Sequence, residues 1–249
     1  MVPELTWAYD YGLDVDAPQL WQPRVFKAHL SPAYAVRCHP GARFVFVVRE
    51  PKDVLVSVWK FFHPKARELM PGTDFHDVDE FAASSYWREF HWLFNGHIWM
   101  YIRQAWEARR DPSVLLLFYE DLKDEPETQV RRLAQHMGVE ADTRLMDTVL
   151  ELSSHAWMLE NASMFDEHWI TAQQRALGRL GPAGAATACD KVTPNGTYGA
   201  HRCALTSVSS SAMDELWARR VGVATGYDSY DAMLAAFRAE QLYRGVSAL

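Results

Sequence analysis

Residues 113–118, Ser-Val-Leu-Leu-Leu-Phe, form an almost wholly apolar run of strand length. Such a run needs cover on both faces, the situation of a strand in a parallel sheet. Two further runs rich in β-branched and aromatic residues, 24–30 and 43–48, are separated by a turn-rich stretch holding Pro32, Pro40 and Gly41, and read as strands as well. Helical patterns lie between and after them. Pro51 suits a first helical position, and Val54, Leu55, Val58, Trp59 and Phe62 follow at helical spacing. A helix is therefore expected directly on the carboxyl end of the 43–48 strand. Residues 86–108, 127–137, 143–152 and 213–220 read as further helices. The alternation defines an α/β chain. With 249 residues and 49% of them apolar, a single domain spanning 1–249 is expected. Residues 178–203 break the pattern with Gly178, Gly181, Gly184, Gly196, Gly199, Pro182 and Pro194, and read as a long loop, a candidate lid or ligand-covering segment.

Charge narrows the function classes. The 25 basic and 32 acidic residues give a formal net charge of −7, which argues against general affinity for nucleic acid or an anionic membrane but leaves room for a small anion in a pocket. The aromatic residues are not interleaved with a basic stripe, so ring stacking on nucleic acid is not indicated. Cys38, Cys189 and Cys203 are odd in number and widely spread, so neither a disulfide framework nor a zinc knuckle is expected, and a cytoplasmic, reducing compartment fits. Residues 1–16 are acidic and do not read as a signal peptide. Apolar runs such as 44–48 fall far short of the roughly 20 residues that span a bilayer. The ten histidines show no metal-ligand spacing, so no metal is expected and His91, His97, His155 and His168 read as surface or core groups.

The strongest local signal is Val48-Arg49-Glu50-Pro51-Lys52-Asp53-Val54 followed by Ser57. It sets an arginine at a strand end, a helix start beside it and a hydroxyl on that helix. The unpaired N–H groups and positive dipole end of a helix start, a guanidinium and a serine together make an anion site. On these residues alone, an ion pair for Arg49 and a solvent-facing Ser57 account for the segment equally well. The second signal is Phe26-Lys27-Ala28-His29-Leu30, where period-two alternation puts Lys27 and His29 on one strand face. An ammonium beside a histidine favours its neutral form and suits it to general-base work; a plain hydrogen-bonding role fits a lone histidine too.

Taken together, residues 24–30 (RVFKAHL), residues 46–54 (FVVREPKDV) with Ser57, and residues 117–123 (LFYEDLK) with Pro126 resemble, in the same order, successive blocks of the sulfotransferases that use 3′-phosphoadenosine 5′-phosphosulfate (PAPS). The resemblance covers most of the chain. It implies a three-layer α/β/α sandwich with a central parallel sheet, of the P-loop nucleotide-transferase type, and PAPS as co-substrate. It also implies a small-molecule acceptor with a hydroxyl or amine. His29 would be the base and Lys27 would contact the sulfuryl group or the leaving phosphate. Arg49 and Ser57 would hold the 3′-phosphate, and Tyr119 would touch adenine. Lys191 and Gly196 resemble the family's late block, which closes over the same phosphate. Met158, Asn161 and Phe165 resemble bacterial members, where this region borders the acceptor. Glu120, Asp121 and Lys123 read instead as a helix cap and surface pairs.

The family opens with a strand and a loop of the Pro-Lys-Ser-Gly-Thr-Thr-Trp type that cradles the 5′-phosphate, and no such segment occurs in the 249 residues. Without that loop, transfer is expected to fall by several orders of magnitude, at roughly 3 kcal/mol for each lost charged contact. Two readings stay open. Either the sequence is a piece of an ordinary sulfotransferase, or it is a short form that holds an adenosine bisphosphate or a partner with little catalysis. The animal dimer signature is absent as well, which leaves the oligomeric state open.

Overall fold

The computed structural model describes residues 5, 8, 12–62, 75–89, 97–165, 172, 176–178, 192 and 198–246. The chain divides into two compact units, one of residues 1–30 and 126–197, the other of residues 31–125 and 198–249.

The second unit is built on two strands, β1 (Phe44–Val48) and β2 (Val114–Phe118). They pair in parallel, in a register that sets Phe44 opposite Val114 and Val48 opposite Phe118. β2 is buried along its whole length, as its unbroken apolar sequence requires. β1 alternates: Phe46 and Val48 are buried while Val45 and Val47 are each 40% exposed. Its helices are α1 (Pro32–Cys38), α2 (Pro51–Phe62), α3 (Val78–Ala83), α4 (Ser85–Glu89), α5 (Ile98–Ala108) and α6 (Tyr119–Asp124). The first unit holds α7 (Pro126–Met137), α8 (Thr143–Leu152) and α9 (His155–Glu160), and a 3-10 turn (Ala162–Phe165). The second unit then resumes with α10 (His201–Ala204), α11 (Ser207–Trp217), a π-helical turn (Ala218–Gly222), α12 (Val223–Thr225) and α13 (Tyr230–Val246).

Several of these boundaries follow from local chemistry. In the first unit, α8 starts where Asp142 accepts the Leu145 N–H at 2.7 Å, and α9 where Ser154 accepts that of Trp157 at 3.2 Å. α7 stops at Gly138, whose φ of 72° suits a residue without a Cβ. In the second unit, His97 has extended dihedrals (φ −72°, ψ 148°), and its Nδ1 accepts the Trp99 N–H at 3.4 Å. A helix therefore begins at Ile98, which corrects the expectation of one helix over residues 86–108. α11 starts six residues before residue 213, because the serine run hides its period; Thr206 caps it by accepting the Ser209 N–H at 3.3 Å.

The strand expected over residues 24–30 is another correction. Both backbone groups of Val25 are taken by one side-chain amide: Gln19 Oε1 accepts its N–H at 2.8 Å and Gln19 Nε2 donates to its carbonyl at 3.0 Å. Among the described residues, the segment's bond to other backbone is the Leu5 N–H to the Lys27 carbonyl, 2.8 Å, and Lys27 alone keeps a β-bridge. At Val25 an amide side chain thus stands where a neighbouring strand would be. Of the loop expected over residues 178–203, most lies outside the described residues, and its end is the start of α10.

The core of the second unit centres on Phe118, fully buried, whose ring lies 4.8 Å from Phe237 and 5.7 Å from Tyr230 between centroids. Trp217 lies edge-on to Tyr230 at 6.0 Å and donates its indole N–H to the Tyr227 carbonyl at 2.9 Å. Gly222 leaves room for that carbonyl: a Cβ there would stand 3.1 Å from the Tyr227 oxygen, a tight contact. Among the described residues, no helix is long and apolar enough to cross a membrane. Phe118→Ala is expected to cost about 3–5 kcal/mol of folding stability, read by urea unfolding of the pure protein; a loss below about 1 kcal/mol would show that Phe118 is not the centre of this core.

Candidate functional site

Parallel register puts the residues that leave β1 and β2 side by side at the same end of the sheet. Arg49 follows Val48 and Tyr119 follows Phe118, and the Arg49 guanidinium carbon lies 4.4 Å from the centre of the Tyr119 ring. The Arg49 side chain is 22% exposed, and its Nη2 is 3.8 Å from Asp53 Oδ2, one turn along α2. Arg49 Nε–H is buried and has no hydrogen-bond acceptor. A cation with donors to spare thus stands at the start of α2, where unpaired backbone N–H groups and the helix dipole also favour an anion. Ser57, in the second turn of α2, is exposed.

Asp53 holds this corner together. It is 2% exposed and accepts from Gly199 N–H at 2.5 Å, from His201 N–H at 3.1 Å and from the His201 ring Nδ1 at 2.8 Å. Burial works against its charge, but these donors outweigh it and hold the carboxyl below the usual carboxylate range. Asp53 thereby ties the first turn of α2 to residues 199–201, near the end of the glycine-rich segment. The i, i+4 spacing of Arg49 and Asp53 was visible in the sequence; the partnership with His201, far along the chain, was not.

The strand ends carry a second layer. Glu50 accepts the Lys52 N–H at 3.2 Å, and its own N–H donates to Glu120 Oε1 at 3.3 Å; the other Glu120 oxygen accepts the Tyr230 hydroxyl at 2.5 Å. Burial pushes the Glu50 carboxyl up to about 7, with Lys52 opposing and Asp231 and Glu120 adding to the rise. Burial and the Glu120 carboxylate likewise push the Tyr230 hydroxyl up. Glu120 and Asp121 are 6% and 7% exposed, which corrects their reading as surface groups: Asp121 is paired inward with Arg238 at 2.6 Å. Beside them lies a cavity of about 230 Å³, lined from α2, α5, α6, α10, α11 and α13.

Of the other residues singled out in the sequence, Lys27 is exposed and His29 half-buried, both in the first unit. Lys191 and Gly196 lie outside the described residues. Among the described residues no group of His, Cys, Asp or Glu is arranged to hold a metal ion.

The fold is that of the sulfotransferases. Mouse sulfotransferase SULT7A1 complexed with PAP matches with a TM-score of 0.56 at 17% identity, covering 81% of this chain and 67% of that one. Retinol dehydratase in a complex with retinol and PAP matches with a TM-score of 0.58 at 18% identity, covering 83% of this chain and 55% of that one. The sulfotransferase domain family matches residues 2–180, well over half of the sequence, and the chain belongs to it. Human sulfotransferase 1C2 is 29% identical over 150 residues, which is 56% of this chain and 45% of the relative. Guinea pig (Cavia porcellus) sulfotransferase 1E1 is 28% identical over 147 residues, 57% of this chain and 46% of the relative. The chain spans about half the length of these curated relatives.

Asp53→Asn is expected to lower stability by about 1–3 kcal/mol at pH 7, since it removes the charge that three donors face. Because the native pKa of Asp53 lies below its unfolded value of about 3.9, the carboxylate's contribution is complete above that value and disappears as pH falls through the native one. Urea unfolding at pH 7 and pH 3 should therefore show the gap between wild type and variant narrowing at the lower pH; a constant gap would contradict the assignment.

Proposed function

We propose that this chain carries nucleotide-holding and catalytic residues of a PAPS-dependent sulfotransferase, which moves a sulfuryl group to a hydroxyl or amine of a small-molecule acceptor. The observation that carries the reading is Arg49: a partly exposed guanidinium stacked on Tyr119 at adjacent strand ends, beside a helix start, with its Nε–H lacking an acceptor. Such a group suits a phosphate, which guanidinium donors meet through paired, charge-assisted hydrogen bonds. Family membership supports the choice of PAPS, and two solved sulfotransferase-fold structures contain PAP.

In this reading Arg49 and Ser57 hold the 3′-phosphate, and Lys191 and Gly196 close over it. Tyr119 meets the adenine. Lys27 contacts the sulfuryl group or the phosphate it leaves. His29 takes the proton of the acceptor as the new bond to sulfur forms and the bond from sulfur to the 5′-phosphate oxygen breaks, so that adenosine 3′,5′-bisphosphate departs with the electron pair. No metal has a role. The retinol in the retinol dehydratase complex supports small hydroxyl compounds as one acceptor class.

Calorimetric titration with adenosine 3′,5′-bisphosphate is expected to show one site per chain, weakened about 30-fold or more in Arg49→Ala, as loss of a charge-assisted contact of about 2–3 kcal/mol implies. His29→Ala should leave that binding intact and abolish transfer from PAPS. A folded chain that does not bind the bisphosphate would overturn the reading. Binding without any transfer by the wild type would favour a module that only holds the nucleotide.

A further inference from the structure

The cavity in the second unit is lined by Glu50, Lys52, Trp99, Glu120, Trp217 and Tyr230 among others, but not by Arg49, Ser57 or Tyr119. Its charges do not cancel. Lys52 is engaged with Asp214 at 2.6 Å, Arg238 with Asp121 and Asp124 at 2.6 and 3.4 Å, and His201 with Asp53 at 2.8 Å. Arg202, the remaining basic group, is exposed. Glu50 and Glu120, removed from most of the solvent, also line the cavity, and among the described residues neither has an ion-pair partner; Asp231, which lines it too, is exposed like Arg202. An uncompensated carboxylate removed from water is costly, and a cation beside it lowers that cost.

A second observation is independent of charge. Trp99 is 2% exposed and lines the cavity, yet its indole N–H has no acceptor. Trp217 and Tyr230, each 4% exposed, add aromatic wall of the kind that attracts cations. We propose that this cavity is a second binding site, for a small organic cation that pairs a protonated amine with Glu50 and Glu120 and offers an oxygen acceptor to Trp99. The volume of about 230 Å³ lies below the roughly 300 Å³ where pockets for drug-sized ligands begin, so the occupant is on the order of ten heavy atoms. A bare metal ion fits less well, since among the described residues no acidic or histidine group is arranged to coordinate one.

The site carries its own pH signature. Burial raises the pKa of Glu50 to about 7, with Lys52 on α2 opposing and Asp231 on α13 and Glu120 on α6 adding to the rise; the Tyr230 hydroxyl on α13 lines the same cavity. An alkyl ammonium stays protonated from pH 6 to 8, so the occupant's charge is constant while Glu50 loses its own as pH falls. Binding that requires ionised Glu50 is then about tenfold weaker at pH 6 than at pH 8.

The test is titration of the 249-residue chain with 4-methoxybenzylamine and with its uncharged analogue 4-methoxybenzyl alcohol, followed by NMR, without nucleotide. The outcome therefore does not depend on whether the bisphosphate site exists. The amine should bind at pH 8, at least tenfold more tightly than the alcohol, and weaken about tenfold at pH 6. Glu50→Gln should weaken it at pH 8 and flatten the pH dependence, while Trp99→Phe should weaken 4-methoxybenzylamine more than benzylamine. Equal binding of amine and alcohol, no binding of the amine at pH 8, or a wild type without pH dependence would each overturn the proposal, and none of the three needs a variant.

Discussion

Parallel pairing imposes a geometric condition that an antiparallel hairpin does not: both strands end on the same side. Once Val48 stands opposite Phe118, the residues that follow cannot avoid meeting. Arg49 and Tyr119 come together, and Glu50 and Glu120 come together one residue later. β2 can sustain this only because it is apolar on both faces and Phe118 is locked against Phe237 and Tyr230. The chemistry at the strand ends is thus a by-product of a buried register, and loops on open sheet ends are where α/β proteins hold ligands.

Two carboxylates near that end have opposite fates. Asp53 is buried among donors, so its charge is held in place and it anchors residues 199–201 to α2. Glu50, three residues earlier, has one backbone donor and two carboxyls for neighbours, so burial prevails and its proton is easily regained. The same desolvation acts on both; the number of donors decides the outcome. One group therefore serves as a fixed strut of the anion corner, while the other leaves a cavity whose charge varies near neutral pH.

Much of this was legible beforehand. The β2 strand, the α2 start at Pro51 and helix α8 follow from period and turn chemistry, and the family followed from ordered blocks around Arg49 and Tyr119. The failures share a physical cause. Residues 24–30 have strand composition, but the Gln19 amide supplies the hydrogen bonds that a strand neighbour would, and nothing in a local pattern announces that. Glu120 and Asp121 look like surface charges until Tyr230 and Arg238, more than a hundred residues on, are brought against them. Polar groups whose partners are distant in sequence are the ones that local pattern misreads.

The π-helical turn between α11 and α12 bears on how freely this sequence can drift. At Gly222 a Cβ would stand 3.1 Å from the Tyr227 carbonyl oxygen, close enough that the carbonyl must give by a few tenths of an ångström, and that carbonyl holds the Trp217 indole, which walls the cavity. A methyl group at position 222 would press on the carbonyl and, through it, on the wall. Change can accumulate on the exposed serines of α11 or at Val223 without reaching the site, but at position 222 it arrives in one step. The cavity's shape is inherited from a residue that never touches its occupant.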